Sequence, residues 1–405
     1  MRPLLSLFCL LSLLGAYIPF GRAQAPVQEI IFWHHDSDPD RAALWQALAD
    51  EFNGQTAGRA VSIQYYPSYV QQHDAILAAL VAGGGPDVAL VRAYDAALYQ
   101  LGDSLVDLTP LAARDLDPAA FYPRFWAQDQ WEGQQLGLAL SRTAEGLYIN
   151  LTALNDLGYP FPPMDFREWE AIACTYQQQT GNSAFDLPLE AGFWMAFAGS
   201  GQAGPLDFTG PEWSNSLDGV QLWLGAGCVG LAPPAESAQN RFASGQTIFY
   251  LDSSRARPNI EAAIGQYYAQ PFELAMVPIP RLIGPVALWR GPSLSLFRSS
   301  PEREAAAWAW MRWLAEPAQV ERWLAISGDW PALMALENQV QMEIWGPFLA
   351  AAWYTEPTLA GYAFIRQELA FAVQDILAGQ DRQSRLGELV QTVNAIQDHF
   401  GPEEP

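Results

Sequence analysis

Residues 286–331 read VALWRGPSLSLFRSSPEREAAAWAWMRWLAEPAQVERWLAISGDWP, and the rest of the chain makes sense around them. An alternating apolar run with Ala287 and Trp289 breaks at Arg290-Gly291-Pro292-Ser293 and resumes as Leu294-Ser295-Leu296-Phe297. That pattern predicts a buried strand entering a tight turn with exposed backbone. Ser300 then offers a helix cap, Pro301 suits the first helical position, and Glu302 and Glu304 complement the positive end of the helix dipole. Ala306, Trp310, Trp313 and Leu314 recur at helical spacing. A second helix opens at Pro317, keeps Val320, Trp323 and Leu324 on one face, and stops at Gly328 before Asp329-Trp330-Pro331.

Working outward to the start of the chain, Ile30-Ile31-Phe32-Trp33 predicts a strand, and Asp38-Pro39 caps a helix with Leu44, Leu48 and Phe52 on one face. Val61 to Tyr65 alternates as a second strand, Ser68-Tyr69 heads another helix ending at Gly83-Gly84-Gly85, and Val88 to Val91 is a third strand. This β-α-β-α-β order with short loops implies a parallel doubly wound sheet. Ligands on such sheets lie beyond the carboxyl ends of the strands, which puts His34, His35, Tyr66 and Tyr69 on one rim. Adjacent histidines invite a metal reading, but zinc needs at least three good ligands. The only other histidines, His73 and His399, have no supporting spacing, so no metal and no cofactor are expected.

The chain has 405 residues, half of them apolar and 13% aromatic, enough for two domains with separate cores. Its sixteen Trp are either flat faces for stacking on sugar rings or filling between helices. Against 44 acids stand 21 basic residues, all Arg, for a formal net charge of −23. Such a surface repels nucleic acid and anionic membranes. Met1-Arg2, the apolar run from Leu4 to Phe20 and Gly21-Arg22-Ala23 read as a secretory signal peptide over residues 1–23. Cys9 lacks the small residues before it that a lipid-attachment site needs, so a soluble protein is expected, in the periplasm or at the extracellular face of the membrane; a monomer is expected as well. Cys174 and Cys228 remain after cleavage, either as a disulfide in an oxidising compartment or as two separate buried thiols.

The strand, Gly turn, two helices and Gly328-x-x-Pro331, together with Glu51-Phe52-Asn53, Pro86-Asp87 and Leu147-Tyr148-Ile149-Asn150, resemble the family 1 extracellular solute-binding proteins of ABC importers, the maltose- and glycerol-phosphate-binding type. The resemblance covers nearly the whole chain. It implies an α/β, two-lobed periplasmic-binding-protein type II fold, each lobe a mainly parallel sheet flanked by helices, with three interlobe crossovers. Residues 26–140 and 289–328 would form the N-terminal lobe, and 141–288 and 329–400 the C-terminal lobe. The ligand contacts it implies are His34, His35, Tyr66, Tyr69 and Asp87 in the first lobe. Ser141, Arg142 and Thr143 come from the first crossover, Arg290, Gly291, Pro292 and Ser293 from the second, and Trp330 from the third. Trp194, Ser253, Ser254 and Tyr362 come from the second lobe.

In function, the resemblance implies a receptor that closes on a sugar, oligosaccharide or polyol and hands it to membrane permease subunits. In the glycerol-phosphate subgroup an Arg-Gly-x-Arg-x-Gly stretch near the C-terminus helps hold the phosphate. Residues 359–366 here keep Arg366 without that pattern, although Arg142, Arg255 or Arg290 could supply a positive contact to a glycerophosphodiester. A secreted carbohydrate-active enzyme would need two carboxylates facing across the cleft, and Asp36, Asp87 and Asp252 sit in no hydrolase motif. Ferric binding through adjacent tyrosines would have only Tyr65-Tyr66 and Tyr267-Tyr268 to draw on.

Overall fold

The computed structural model describes residues 28–199, 206, 208–231 and 235–401. The signal peptide expected over residues 1–23, with Cys9 in it, lies outside the described residues.

The first lobe grows from its N-terminal strand. Gln28–His34 alternates inward Ile30, Phe32 and His34 with outward neighbours. Asp38 caps the helix Pro39–Gln55, accepting from the backbone N–H of Asp40 at 3.1 Å and Arg41 at 3.0 Å, and its Trp45, Leu48 and Phe52 pack inward. Arg59–Tyr65 returns parallel to the first strand, with Ile30 beside Val61. Val88–Val91, buried throughout, lies parallel on the other side. Ser293–Leu296 closes the sheet antiparallel to it. The expected helices follow as Pro301–Leu314 and Pro317–Ser327, the latter ending at Gly328 with φ 66°. They pack on the first strand and on the first helix respectively.

The second lobe departs from the mainly parallel sheet expected for it. One ten-residue strand, Ser141–Asn150, is its spine, paired antiparallel with Phe249–Ser253, Leu274–Val277 and Val286–Arg290. In this sheet, among the described residues, only Ala352–Thr355 runs parallel to its neighbour, Val286–Arg290, while a separate two-stranded sheet pairs Phe185–Leu187 parallel with Val229–Leu231. The polar run Ser141-Arg142-Thr143 stays in the strand because each side chain finds a buried partner. Ser141 donates to Asp329 at 2.6 Å, Arg142 to Asp129 at 2.7 Å, and the Thr143 and Ser254 hydroxyls lie 2.8 Å apart. Cys174 and Cys228 are joined as a disulfide, tying the helix Phe166–Thr180 to the turn after Pro211–Gly225.

Three connections join the lobes side by side. Leu138 and Leu294 exchange backbone hydrogen bonds at 2.9 and 3.0 Å. Arg142 and Ser141 pair antiparallel with Trp330 and Pro331, and Ala332 donates to the Leu140 carbonyl at 3.0 Å. Eleven of the sixteen tryptophans are buried, and Trp45, Trp169, Trp194, Trp223, Trp289, Trp310 and Trp330 are fully so.

Candidate functional site

A cavity of about 230 Å³ opens between the lobes. The first lobe supplies His35, beyond the strand Gln28–His34, and Arg92, Ala93 and Tyr94, beyond the strand Val88–Val91. These are the carboxyl ends of parallel strands, where the pleated backbone stops and loops are free to meet a ligand. The second lobe supplies Thr143 and Glu145 from its spine, Ser253 and Arg255 from the end of Phe249–Ser253, and Glu356 and Arg366. Gln128 and the turn Arg290-Gly291-Pro292 complete the wall. Gly291 has φ 142°, a value that side chains rarely adopt, which explains glycine at this turn.

The wall is charged and densely cross-linked. Arg290 donates to Glu145 at 2.8 Å and to Glu190 at 2.6 Å, with Glu356 at 3.8 Å. Arg366 holds Glu190 as well, and its Nε lies 3.2 Å from Glu356 Oε1. Arg255 grips Asp329 through two bonds of 2.8 and 2.6 Å. Arg92 and Arg366 both donate to the Tyr94 hydroxyl, each at 2.7 Å. Two buried polar atoms of this wall, Arg290 Nε and Glu356 Oε1, face ion-pair partners at 3.8 and 3.2 Å without a hydrogen bond of good geometry. Such atoms are costly unless a ligand completes them.

Burial pushes the Glu145 carboxyl up to about 7, with the neighbouring Arg290 opposing and Glu190 reinforcing the shift. For Glu190 burial acts in the same upward sense, but Arg290 and Arg366 overcome it and hold the carboxyl well below its usual range. Burial also lowers His35 to about 4, so its imidazole is neutral at pH 7; Nδ1 lies 3.0 Å from Gln72 Oε1. Among the described residues no group of three or more His, Cys, Asp or Glu could hold a metal ion.

Of the residues singled out from sequence, His35, Thr143, Ser253, Arg290, Gly291 and Pro292 meet at this cavity. The others are placed elsewhere. Trp194 is fully buried in the second-lobe core, its indole N–H donating to the Pro188 carbonyl at 3.0 Å. Trp330 and Tyr362 are likewise buried, and His34 points into the first-lobe core against Phe32. Asp87 stands at the amino end of its strand, opposite the rim, where Arg303 binds it at 2.9 and 2.7 Å. Ser141, Arg142 and Ser293 are spent bracing the crossovers: Ser293 and Arg142 share Asp129 at 2.6 and 2.7 Å. Ser254 is buried against Thr143, Tyr66 packs on Trp33, and Tyr69 lies beneath Arg92. No Trp belongs to the cavity wall, so stacking on tryptophan is not how it is built.

Arg92, Ala93, Tyr94, Gln128, Glu145 and Glu356 were not among those candidates, and Arg255 and Arg366 were weighed only in relation to a phosphate. Arg92 was accessible to the strand-end rule, since it directly follows Val88–Val91. Arg366 and Glu356 were not, because their partner Glu190 and Arg290 lie far away in the chain.

The family model described as bacterial extracellular solute-binding protein matches residues 47–345. No curated protein matches the chain in sequence. Among solved structures, the GacH receptor of Streptomyces glaucescens, solved unliganded and with acarbose, superposes with a TM-score of 0.78 at 16% identity, over 93% of this chain and 99% of that one. UgpB from Mycobacterium tuberculosis, in complex with glycerophosphocholine, gives 0.77 at 18% identity over 93% and 99%. The sugar-binding protein MalE from Xanthomonas citri gives 0.76 at 22% identity over 92% and 98%. Identities this low speak for a shared two-lobed fold.

Proposed function

We propose, from the premise that this chain belongs to the bacterial extracellular solute-binding proteins, that it is the extracytoplasmic receptor of an ABC importer and binds a sugar, oligosaccharide or polyol between its lobes. The observation that carries this reading is the alternation of donors and acceptors around the cavity. Guanidinium groups of Arg255, Arg290 and Arg366 stand beside the carboxylates of Glu145 and Glu356 and the hydroxyls of Thr143 and Ser253. Sugar hydroxyls both donate and accept, so a wall that offers both kinds of group at once suits them.

A solute touching both lobes favours the closed arrangement by its differential contacts. The closed form would then dock on permease subunits, with the chain acting as a monomer without catalysis. The lobes are assigned as residues 26–140 with 289–328, and 141–288 with 329–400, after export directed by residues 1–23. A thermal-shift screen against sugars, polyols and glycerophosphodiesters tests the reading, since binding to the folded state raises the melting temperature. A rise with a hydroxyl-rich solute, reduced in Glu356→Ala, is expected; no rise with any of them overturns it.

A further inference from the structure

Two guanidinium groups converge on one neutral oxygen at the first-lobe wall, the Tyr94 hydroxyl. They are not equivalent. Arg366 is also held by Glu190 and Glu356. Arg92 has no carboxylate within ion-pairing distance among the described residues; its other side-chain contact is the face of Tyr69, 4.1 Å from the guanidinium carbon. Asp95, on the same helix, accepts from the Tyr69 hydroxyl and lies 3.6 Å from His73. A partly buried cation beside a second cation, with only a neutral acceptor between them, is electrostatically unfavourable until an anion arrives.

The backbone adds to the same field. Arg92 stands at the N-cap of the helix Ala93–Gln100, and its side chain accepts no hydrogen bond from the N–H groups of the first turn. The first N–H groups of that helix belong to Ala93 and Tyr94, which line the cavity with Arg92. Helix starts left open in this way favour negative charge. Across the cavity, Glu145 and Glu356 favour hydroxyl donors and repel an anion, so the two walls ask for different ends of one molecule.

We propose that the solute carries an anionic group, a phosphate or a carboxylate, and that Arg92 with the Tyr94 hydroxyl is the contact for it. This inference rests on the receptor reading above and narrows its ligand class to an acidic or phosphorylated sugar or polyol. Arg92 fixes the orientation of the solute as well as its charge.

Isothermal titration of the mature chain with matched probes tests it: glycerol against glycerol 3-phosphate, and glucose against glucose 6-phosphate and glucuronate. The anionic member of at least one set binds at least about tenfold more tightly than its neutral parent. Arg92→Gln brings that ratio near one, while Arg92→Lys keeps part of it, with melting temperatures recorded for both variants. A gain confined to the phosphates assigns a phosphate; one confined to glucuronate assigns a carboxylate. Neutral parents binding as tightly as the anions, or a preference unchanged in Arg92→Gln, overturns the inference and leaves the receptor reading standing. Titration of none of the probes overturns the inference, and the receptor reading then stands or falls with the thermal-shift screen.

Discussion

Arg142 and Asp129 form an ion pair of 2.7 Å with neither side chain reaching solvent appreciably, at the point where the chain first passes between lobes. Both partners are otherwise satisfied, Arg142 by Gln128 at 2.9 Å and Asp129 by Ser293 at 2.6 Å. Removing one partner strands a buried charge, whereas removing both strands none. Arg142→Met is therefore expected to cost about 3–5 kcal/mol in urea denaturation, and Asp129→Leu combined with Arg142→Met to recover most of it. A single variant costing under about 1 kcal/mol would show that the pair contributes little.

Glu145 predicts a pH dependence with a definite sign. Its carboxyl is raised from 4.5 to about 7 in the folded chain, first by burial and then by the acids around it. The folded state thus binds the proton more tightly than the unfolded one. This contribution is fully present below 4.5 and is lost as pH rises through about 7. Its full size is on the order of 3 kcal/mol. Glu190 acts oppositely and in another window: its lowered carboxyl contributes above the ordinary glutamate range and loses that contribution at more acid pH. Denaturation of wild type and Glu145→Gln between pH 4.5 and 7 isolates the first group, and the variant should show a flatter profile.

The disulfide between Cys174 and Cys228 spans 54 residues. Closing a loop of that length restricts the unfolded chain, and removing it costs roughly 2–4 kcal/mol. Cys174→Ser with Cys228→Ser, or reduction with dithiothreitol, should lower the denaturation midpoint accordingly. An unchanged midpoint would mean that the second-lobe helices hold together without it.

Gly192 tests how tightly Arg290 is positioned. A Cβ there would meet Arg290 Nη2 at 1.7 Å, and the guanidinium cannot step aside without leaving Glu145 or Glu190. Gly192→Ala should weaken binding of the solute found in the thermal screen by about tenfold or more, a loss of about 1.4 kcal/mol. The measurement is titration beside a melting curve, and retained affinity would show that the Arg290 cluster tolerates displacement.

The first lobe was legible because its signals are local. Asp38, Ser68 and Ser300 cap the helices they were expected to cap, and the strands between them pair with near neighbours. The second-lobe sheet was not, because Ser141–Asn150 pairs with strands more than a hundred residues onward, and no local pattern records direction. The site shows the same division. Arg290-Gly291-Pro292 was visible as a break in a strand, while the Glu190–Arg366 contact joins residues 176 apart. Aromatic residues misled for a different reason: Trp194 and Tyr362 have the composition of a stacking site and of a core alike, and here the core took them.

The crossovers Leu138–Arg142, Arg290–Leu294 and Trp330–Ala332 are stitched to one another by backbone bonds. One tether would let the halves tumble, and two would still permit twisting. Three bound together behave like the spine of a book: the covers swing about a single line, and the same pages face each other at every closing.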